Sequence, residues 1–402
     1  MPIGYGLAEH QSMCSASKKS AKIKNNSSIE FTELEWWDWS KIAEEMMNEG
    51  FFQTKRSSKK LSNPPRVASM FSGCGGMDLG LKWAGYKLVY SNEIDQRASE
   101  TFQHNLGHKV DTRSIDDVDI EAMPDHDLLV GGFPCQPFSY AGLRKGLRDS
   151  RGKLFFALMD ILKIKKPNFF IFENVKGLLT HNGGETFQNV SQAIYDAGYT
   201  YTHTVVNAAD LGCPQRRERL FIVGTRKGVK TACFTFPTFR LPKKTLRMAI
   251  EDLIGRTDLE NNDPMKHTKR ILERYKHIPQ GGTLADAPAE HQQRKRGAVH
   301  LVSGKQSTQS YHRLVADDVS PTVCAMFQAH FIHYSQDRNI TAREAARLQS
   351  FPDDYVFKGK RTVMSWEKEL SQYAQIGNAV APKVAYVLGR GLYEQLIKPY
   401  QK

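Results

Sequence analysis

Residues 66–77 read Arg66-Val67-Ala68-Ser69-Met70-Phe71-Ser72-Gly73-Cys74-Gly75-Gly76-Met77. A short apolar run at 67–71 predicts a strand, the glycines a tight turn, and the spacing over 77–84 a helix. Strand, Gly-rich turn and helix in that order present backbone N–H groups and a helix N-terminus to a nucleotide-like ligand. The next predicted strand, 87–91, leads to Glu93, 20 residues after Gly73. An acid at that separation is placed to accept hydrogen bonds from ribose hydroxyls. Asp78 stands where a dinucleotide fingerprint needs its last glycine, which argues against a dinucleotide oxidoreductase. The expected class is α/β.

The second informative stretch begins with the buried strand pattern Asp127-Leu128-Leu129-Val130. It continues Gly131-Gly132-Phe133-Pro134-Cys135-Gln136-Pro137-Phe138-Ser139. Two glycines and two prolines force an irregular loop, because Gly permits positive φ and Pro fixes φ near −65°. Cys135 thus lies just past the C-terminal edge of a strand, where ligands bind in open α/β sheets. The segment after it, 140–152, holds Arg144, Lys145, Arg148 and Arg151 with two internal glycines. That pattern suits a mobile loop meeting phosphates.

Farther on, the apolar strand 168–172 delivers Glu173-Asn174-Val175 at its end, where desolvation raises a carboxyl's proton affinity. Gln215-Arg216-Arg217-Glu218-Arg219 precedes another strand, 220–224, and places three arginines at a turn that can meet a base carbonyl and a phosphate. Helices are expected at 153–166, 187–197, 341–352 and 383–396. The first 65 residues form an extension and linker. Residues 13–28 have a disordered composition, and Trp36, Trp37 and Trp39 must dock on the body or on a partner.

The 402 residues carry 56 Lys+Arg against 43 Asp+Glu, a net charge of +13, which favours a polyanionic partner. Residues 236–340 contribute only 16 basic and 11 acidic side chains, so the charge is spread. Six scattered cysteines form no CxxC pair, which argues against a disulfide framework or zinc site. The seven histidines of 236–340 show no ligand spacing, so no metal is expected. No apolar run reaches the roughly 18 residues of a membrane span, and no signal peptide opens the chain. A cytoplasmic location is expected.

The stretches 71–80, 132–139, 173–175, 215–219 and Gln375-Ile376-Gly377-Asn378-Ala379-Val380 occur in the order that resembles the DNA cytosine-5 methyltransferases, of the prokaryotic restriction–modification type. The resemblance spans residues 67–385. It implies a Rossmann-like, S-adenosylmethionine-dependent methyltransferase sheet with a second, smaller, irregular target-recognition domain. The catalytic domain would be 66–235, completed by 372–402. Target-recognition domain and hinge helix would occupy 236–371.

It implies Cys135 as nucleophile, Glu173 at the cytosine N3, and Arg219 at O2 with Arg217 nearby. For the cofactor it implies the turn glycines Gly73, Gly75 and Gly76, Phe71 on the adenine and Glu93 on the ribose. Ile94 would support the adenine, Asp111 would meet its amino group, and Asn378 would lie by the methionine part. Ser69 stands where the family often has an acid. Gln136, Ser139, Arg144, Lys145, Arg148 and Arg151 would face DNA on a loop closing behind the base.

C5 of cytosine is a poor nucleophile, and a thiolate added at C6 turns the ring into an enamine that can attack a sulfonium methyl. The implied partners are duplex DNA and a companion restriction endonuclease, with the enzyme a monomer associated with the nucleoid. S-adenosylhomocysteine would be the product. Two alternatives remain: a transfer-RNA methyltransferase of the same family, and a DNA-binding regulator on an inactive scaffold. The irregular segment 236–340 favours DNA, and intact Cys135 and Glu173 favour an enzyme.

Overall fold

The computed structural model describes residues 37–133, 152–292, 294–295, 298–299, 311–325, 331–363, 367 and 369–401. Its centre is a six-stranded sheet of β1 (Arg66–Met70), β2 (Lys87–Asn92), β3 (Leu128–Gly132), β4 (Phe169–Val175), β5 (Tyr199–Asn207) and β6 (Glu218–Arg226) in the order β2-β1-β3-β4-β6-β5. β1 to β4 pair in parallel, and β6 runs antiparallel to both β4 and β5. The chain leaves β1 toward β2 on one side and resumes at β3 on the other. A topological switch point therefore lies between β1 and β3, flanked by the Gly-rich turn and the start of the Cys135 loop.

The central strands are apolar on both sides because both faces are covered. Ala68, Met70, Leu129, Phe170 and Phe172 face a layer that includes Leu158, Leu162 and Ile194. Those side chains come from α4 (Lys153–Lys165) and α5 (Glu185–Asp196). Val67, Leu128, Val130, Phe169 and Ile171 face the opposite layer. There α1 (Ser40–Met47), α2 (Gly76–Trp83), α3 (Gln96–Leu106) and the C-terminal helix contribute to one cluster.

The irregular segment follows with α6 (Leu246–Ile250), α7 (Lys269–Lys276) and α8 (Ala342–Leu348), then α9 (Gln372–Asn378) and α10 (Pro382–Leu392). Thr341 and Glu344 cap α8 reciprocally. The expected helix 383–396 is split: α10 passes into a π-helical turn, Tyr393–Ile397. α10 does return to the first unit, since a Cβ on Gly80 would lie 2.2 Å from the Pro382 carbonyl oxygen.

The main core continues through Leu246, Leu253, Leu314, Val323 and Tyr355, so the irregular segment shares the sheet's core. Among the described residues only a satellite of Tyr275, Ile278, Leu284, Ala287 and Ile332 is its own. Buried Arg313 donates there to the carbonyls of Tyr275, Ile278, His333 and Gln336 and to Asp337. One guanidinium thus satisfies carbonyls that a regular ladder would otherwise serve.

Among the described residues Cys74 and Cys213 are buried free thiols and Cys324 is an exposed one.

Candidate active site

The Gly-rich turn is built on backbone that only special residues adopt freely. Phe71, Gly73 and Gly75 all have positive φ, at 54°, 55° and 87°. Gly73 N–H donates to Glu93 Oε2 and Asp95 N–H to Oε1, both at 2.8 Å, so the carboxylate is aimed by backbone donors. Burial raises the Glu93 pKa against the pull of those donors. Each oxygen keeps a lone pair for a hydroxyl. A Cβ on Gly73 would meet nothing within 4 Å, so the turn opens onto free space. Ile94 beside it is 68% exposed, an aliphatic platform at the rim.

A Cβ on Gly76 would lie 2.3 Å from the Val380 carbonyl oxygen and 3.1 Å from the Ala379 Cβ. The segment of Asn378 is thereby seated against the turn, and Asn378 itself is exposed. Open space, an aimed carboxylate and an adjoining amide fit a nucleoside ligand carrying an amino-acid tail.

Asp111 is joined to Asn92 by a single bridge. Its carboxylate accepts from the Tyr90 hydroxyl (2.8 Å) and from Arg113 Nη2 (2.6 Å), which hold its pKa near 2. The acceptor expected for an adenine amino group is therefore already engaged.

The second half of the site lies across β3, β4 and β6. Parallel pairing sets Glu173 beside Gly132, and antiparallel pairing sets Arg219 opposite Val175. The period of two then places Glu173 and Arg219 on one face. Arg219 Nε lies 3.1 Å from Glu173 Oε1, with the side chains 18% and 14% exposed. Burial pushes the Glu173 carboxyl up, opposed by Arg219 and then Arg217. Burial likewise pulls the Arg219 pKa down, opposed by Glu173. Arg219 Nη1 donates to the Glu218 carbonyl, which leaves Nη2 without a partner among the described residues.

Arg217, grouped with Arg219 from the sequence, turns into the protein instead. It is 3% exposed and donates to the carbonyls of Val323, Gly377 and Ala379. Arg217 precedes β6, where the chain joins the irregular segment through the Gln215–Ser320 bridge.

Cys135, Gln136, Ser139, Arg144, Lys145, Arg148 and Arg151 lie outside the described residues. The strand end leading to them is fixed, because Asn174 Nδ2 donates 2.7 Å to the Phe133 carbonyl. The sequence reading gave Asn174 no separate role. The signal was strand alternation, which puts it on the face opposite Glu173. Asp78 was also missed: it is fully buried with no partner of sound geometry for either oxygen. Burial raises its pKa to about 7, although the Ser69 hydroxyl pulls it down. Among the described residues no cluster of His, Cys, Asp or Glu could hold a metal ion.

Residues 65–394 match the C-5 cytosine-specific DNA methylase family. The chain is 36% identical over 361 residues to the type II methyltransferase M.DdeI of Desulfomicrobium norvegicum, covering 80% of this chain and 87% of that one. It is 34% identical over 359 residues to M.NgoFVII of Neisseria gonorrhoeae, covering 85% and 90%. Its fold is similar to that of a DNA modification methyltransferase encoded within an E. coli prophage, with a TM-score of 0.63 at 24% identity, covering 83% of this chain and 99% of that one. With a match over most of its length and an edge carrying Glu173, Arg219 and the aimed Glu93, the chain belongs to the C-5 cytosine-specific DNA methylases.

Proposed function

We propose that this DNA cytosine-5 methyltransferase acts on a flipped cytosine within a specific duplex sequence, as the modification partner of a restriction endonuclease. The observation that carries the chemical reading is the half-buried Glu173–Arg219 pair, one strand from the β3 end that leads to Cys135. A stacked cytosine cannot reach such a pair, so the base must leave the helix.

Cys135, assigned by its motif, adds its thiolate to C6 and turns the ring into an enamine nucleophilic at C5. Glu173, whose proton affinity burial raises, donates in its acid form to N3, where negative charge develops. Arg219 polarises O2 through the guanidinium edge not engaged by Glu218. S-adenosylmethionine, when bound, supplies the electrophilic sulfonium methyl group and leaves as S-adenosylhomocysteine. Phe71, the turn glycines, Glu93, Ile94 and Asn378 would hold it, with Asp111 at the periphery. Transfer of the C5 proton to a base then breaks the S–C6 bond, expels the thiolate and frees the enzyme.

We assign residues 66–235 and 372–402 to catalysis and 236–371 to target recognition and the hinge. Gln136, Ser139, Arg144, Lys145, Arg148 and Arg151 are assigned to a DNA-contacting loop, the four basic residues to phosphates. The enzyme acts as a monomer in the cytoplasm, at the nucleoid. No helix among the described residues is long and apolar enough to cross a membrane.

The test is transfer of labelled methyl groups to unmethylated genomic DNA and to bulk transfer RNA in parallel. Label in DNA, lost in Cys135→Ser, is expected, and mapping the modified cytosines gives the recognition sequence. Label in RNA alone would move the enzyme to the other substrate, and label in neither would remove the reading.

A further inference from the structure

Arg217 belongs to a buried polar cluster that the chemistry above does not use. Its Nη1 donates to the Val323 carbonyl at 2.8 Å, and its Nη2 to those of Gly377 and Ala379, each at 3.0 Å. These are neutral acceptors, and burial pulls the Arg217 pKa to about 9. Gln215, fully buried, accepts from Val323 N–H at 3.0 Å. It donates to the Leu348 carbonyl (3.0 Å) and to Gln349 Oε1 (2.5 Å). Gln349 Nε2 in turn reaches the carbonyls of Ile376 (2.9 Å) and Ala379 (3.3 Å).

Three distant stretches therefore meet on this cluster: the recognition segment at Val323, the end of α8, and the stretch 376–379 that contains Asn378. The contact is close, since a Cβ on Gly377 would stand 2.3 Å from the Cys324 carbonyl carbon. Arg217 lies two residues before Arg219, whose strand register fixes it opposite Val175. A buried cation facing neutral acceptors is costly to desolvate. A planar fork reaching three carbonyls at once does need a guanidinium.

We propose that Arg217, seconded by Gln215 and Gln349, is a positioning residue. It couples the seating of the recognition segment 320–325 to the placement of Arg219 and of Asn378. Contact with DNA on one side is thereby felt at the cofactor wall on the other. The proposal rests on the methyltransferase reading. Coupling of this kind is reciprocal, so DNA must change the affinity for a cofactor-site ligand.

The experiment measures S-adenosylhomocysteine binding by calorimetry to the full chain, with and without short duplexes sheared from unmethylated genomic DNA. In the wild type, DNA should raise affinity at least fivefold. In Arg217→Lys, which keeps the charge and loses the fork, the gain should fall to less than twofold. That variant's kcat should drop at least tenfold, its KM for DNA should change less than threefold, and its melting temperature should stay within a few degrees. Gln349→Met, which removes the amide at similar volume, should lose part of the same gain and serves if Arg217→Lys fails to fold.

A wild type without DNA-dependent gain would overturn the proposal, as would Arg217→Lys with the full gain. Activity falling only in step with the folded fraction would do the same. A wild type that shows the gain but transfers no methyl group to DNA would sink the methyltransferase reading and leave the coupling standing.

Discussion

The carboxyl of Glu173 sits between a guanidinium and a glycine. Arg219 Nε is 3.1 Å from Oε1, while a Cβ at Gly132 would come within 3.2 Å of Oε2. Burial dominates its proton affinity, so the acid form persists above the usual carboxylate range. If that form donates to N3, kcat must fall as pH rises through the raised pKa. Glu173→Gln keeps a donor that does not titrate and should lose this alkaline limb, with kcat reduced about 10²-fold and DNA affinity little changed. An unchanged pH profile in the variant would remove the acid role. Asp78 gives a cleaner sign. Its pKa rises from 3.8 to about 7, so between those values the folded state holds a proton that the unfolded chain has released. Stability therefore falls as pH rises through that window. Asp78→Asn should raise the melting temperature at pH 8, by at most about 4 kcal/mol of stability, and give little gain below pH 4. Equal shifts at both pH values would show that the burial is not felt as charge. The sequence exposed Glu173 through its apolar strand, but Asp78 read only as a missing glycine, because burial of a helix-face acid depends on what packs above it.

At the scale of elements, the tryptophans before α1 announced docking without saying where. Trp39 is fully buried among Phe234, Phe239 and the C-terminal helix, and a Cβ on Gly391 would lie 2.2 Å from its ring. Glu45 of α1 accepts from Tyr386 at 2.6 Å and from Arg390 at 3.1 Å, and Glu49 pairs with Lys383 at 2.7 Å. The extension is thus a strap across α10. Gly391→Ala should displace the indole, lower stability by about 1–3 kcal/mol and expose 37–62 to limited proteolysis. A wild-type digestion pattern would mean that the strap accommodates the methyl group. The strands and α2 were legible because their apolar periods are strong. α3 was passed over, although its ends were written plainly: Asp95 caps Ala98 N–H at 2.8 Å, and Gly107 closes the helix at φ 65°. Its mostly polar composition hid the buried face made by Phe102 and Leu106.

At the scale of the whole molecule, residues 236–340 gave the sequence reading least, for a physical reason. Arg313 gathers four carbonyls there, so the chain holds its shape with little repeating backbone pattern and leaves no period to read. The same segment tempers the argument from net charge. Its Asp318 pairs with Arg216 from outside, and within it Arg247 pairs with Asp317 and Arg256 with Asp258, so cations there are already matched. Phosphate contacts are then expected largely from the cations proposed on the loop after Cys135. Neutralising Z phosphates makes log K fall with log salt at a slope of about −0.9Z. Replacing Arg144, Lys145, Arg148 and Arg151 together by Gln should flatten that slope by about 3 to 4. Affinity should weaken alike for cognate and unrelated duplexes, because phosphate contacts carry no sequence information. The measurement is equilibrium binding of labelled duplex from 50 to 300 mM salt. A slope equal to that of the wild type would move the phosphate contacts off this loop and onto the recognition segment.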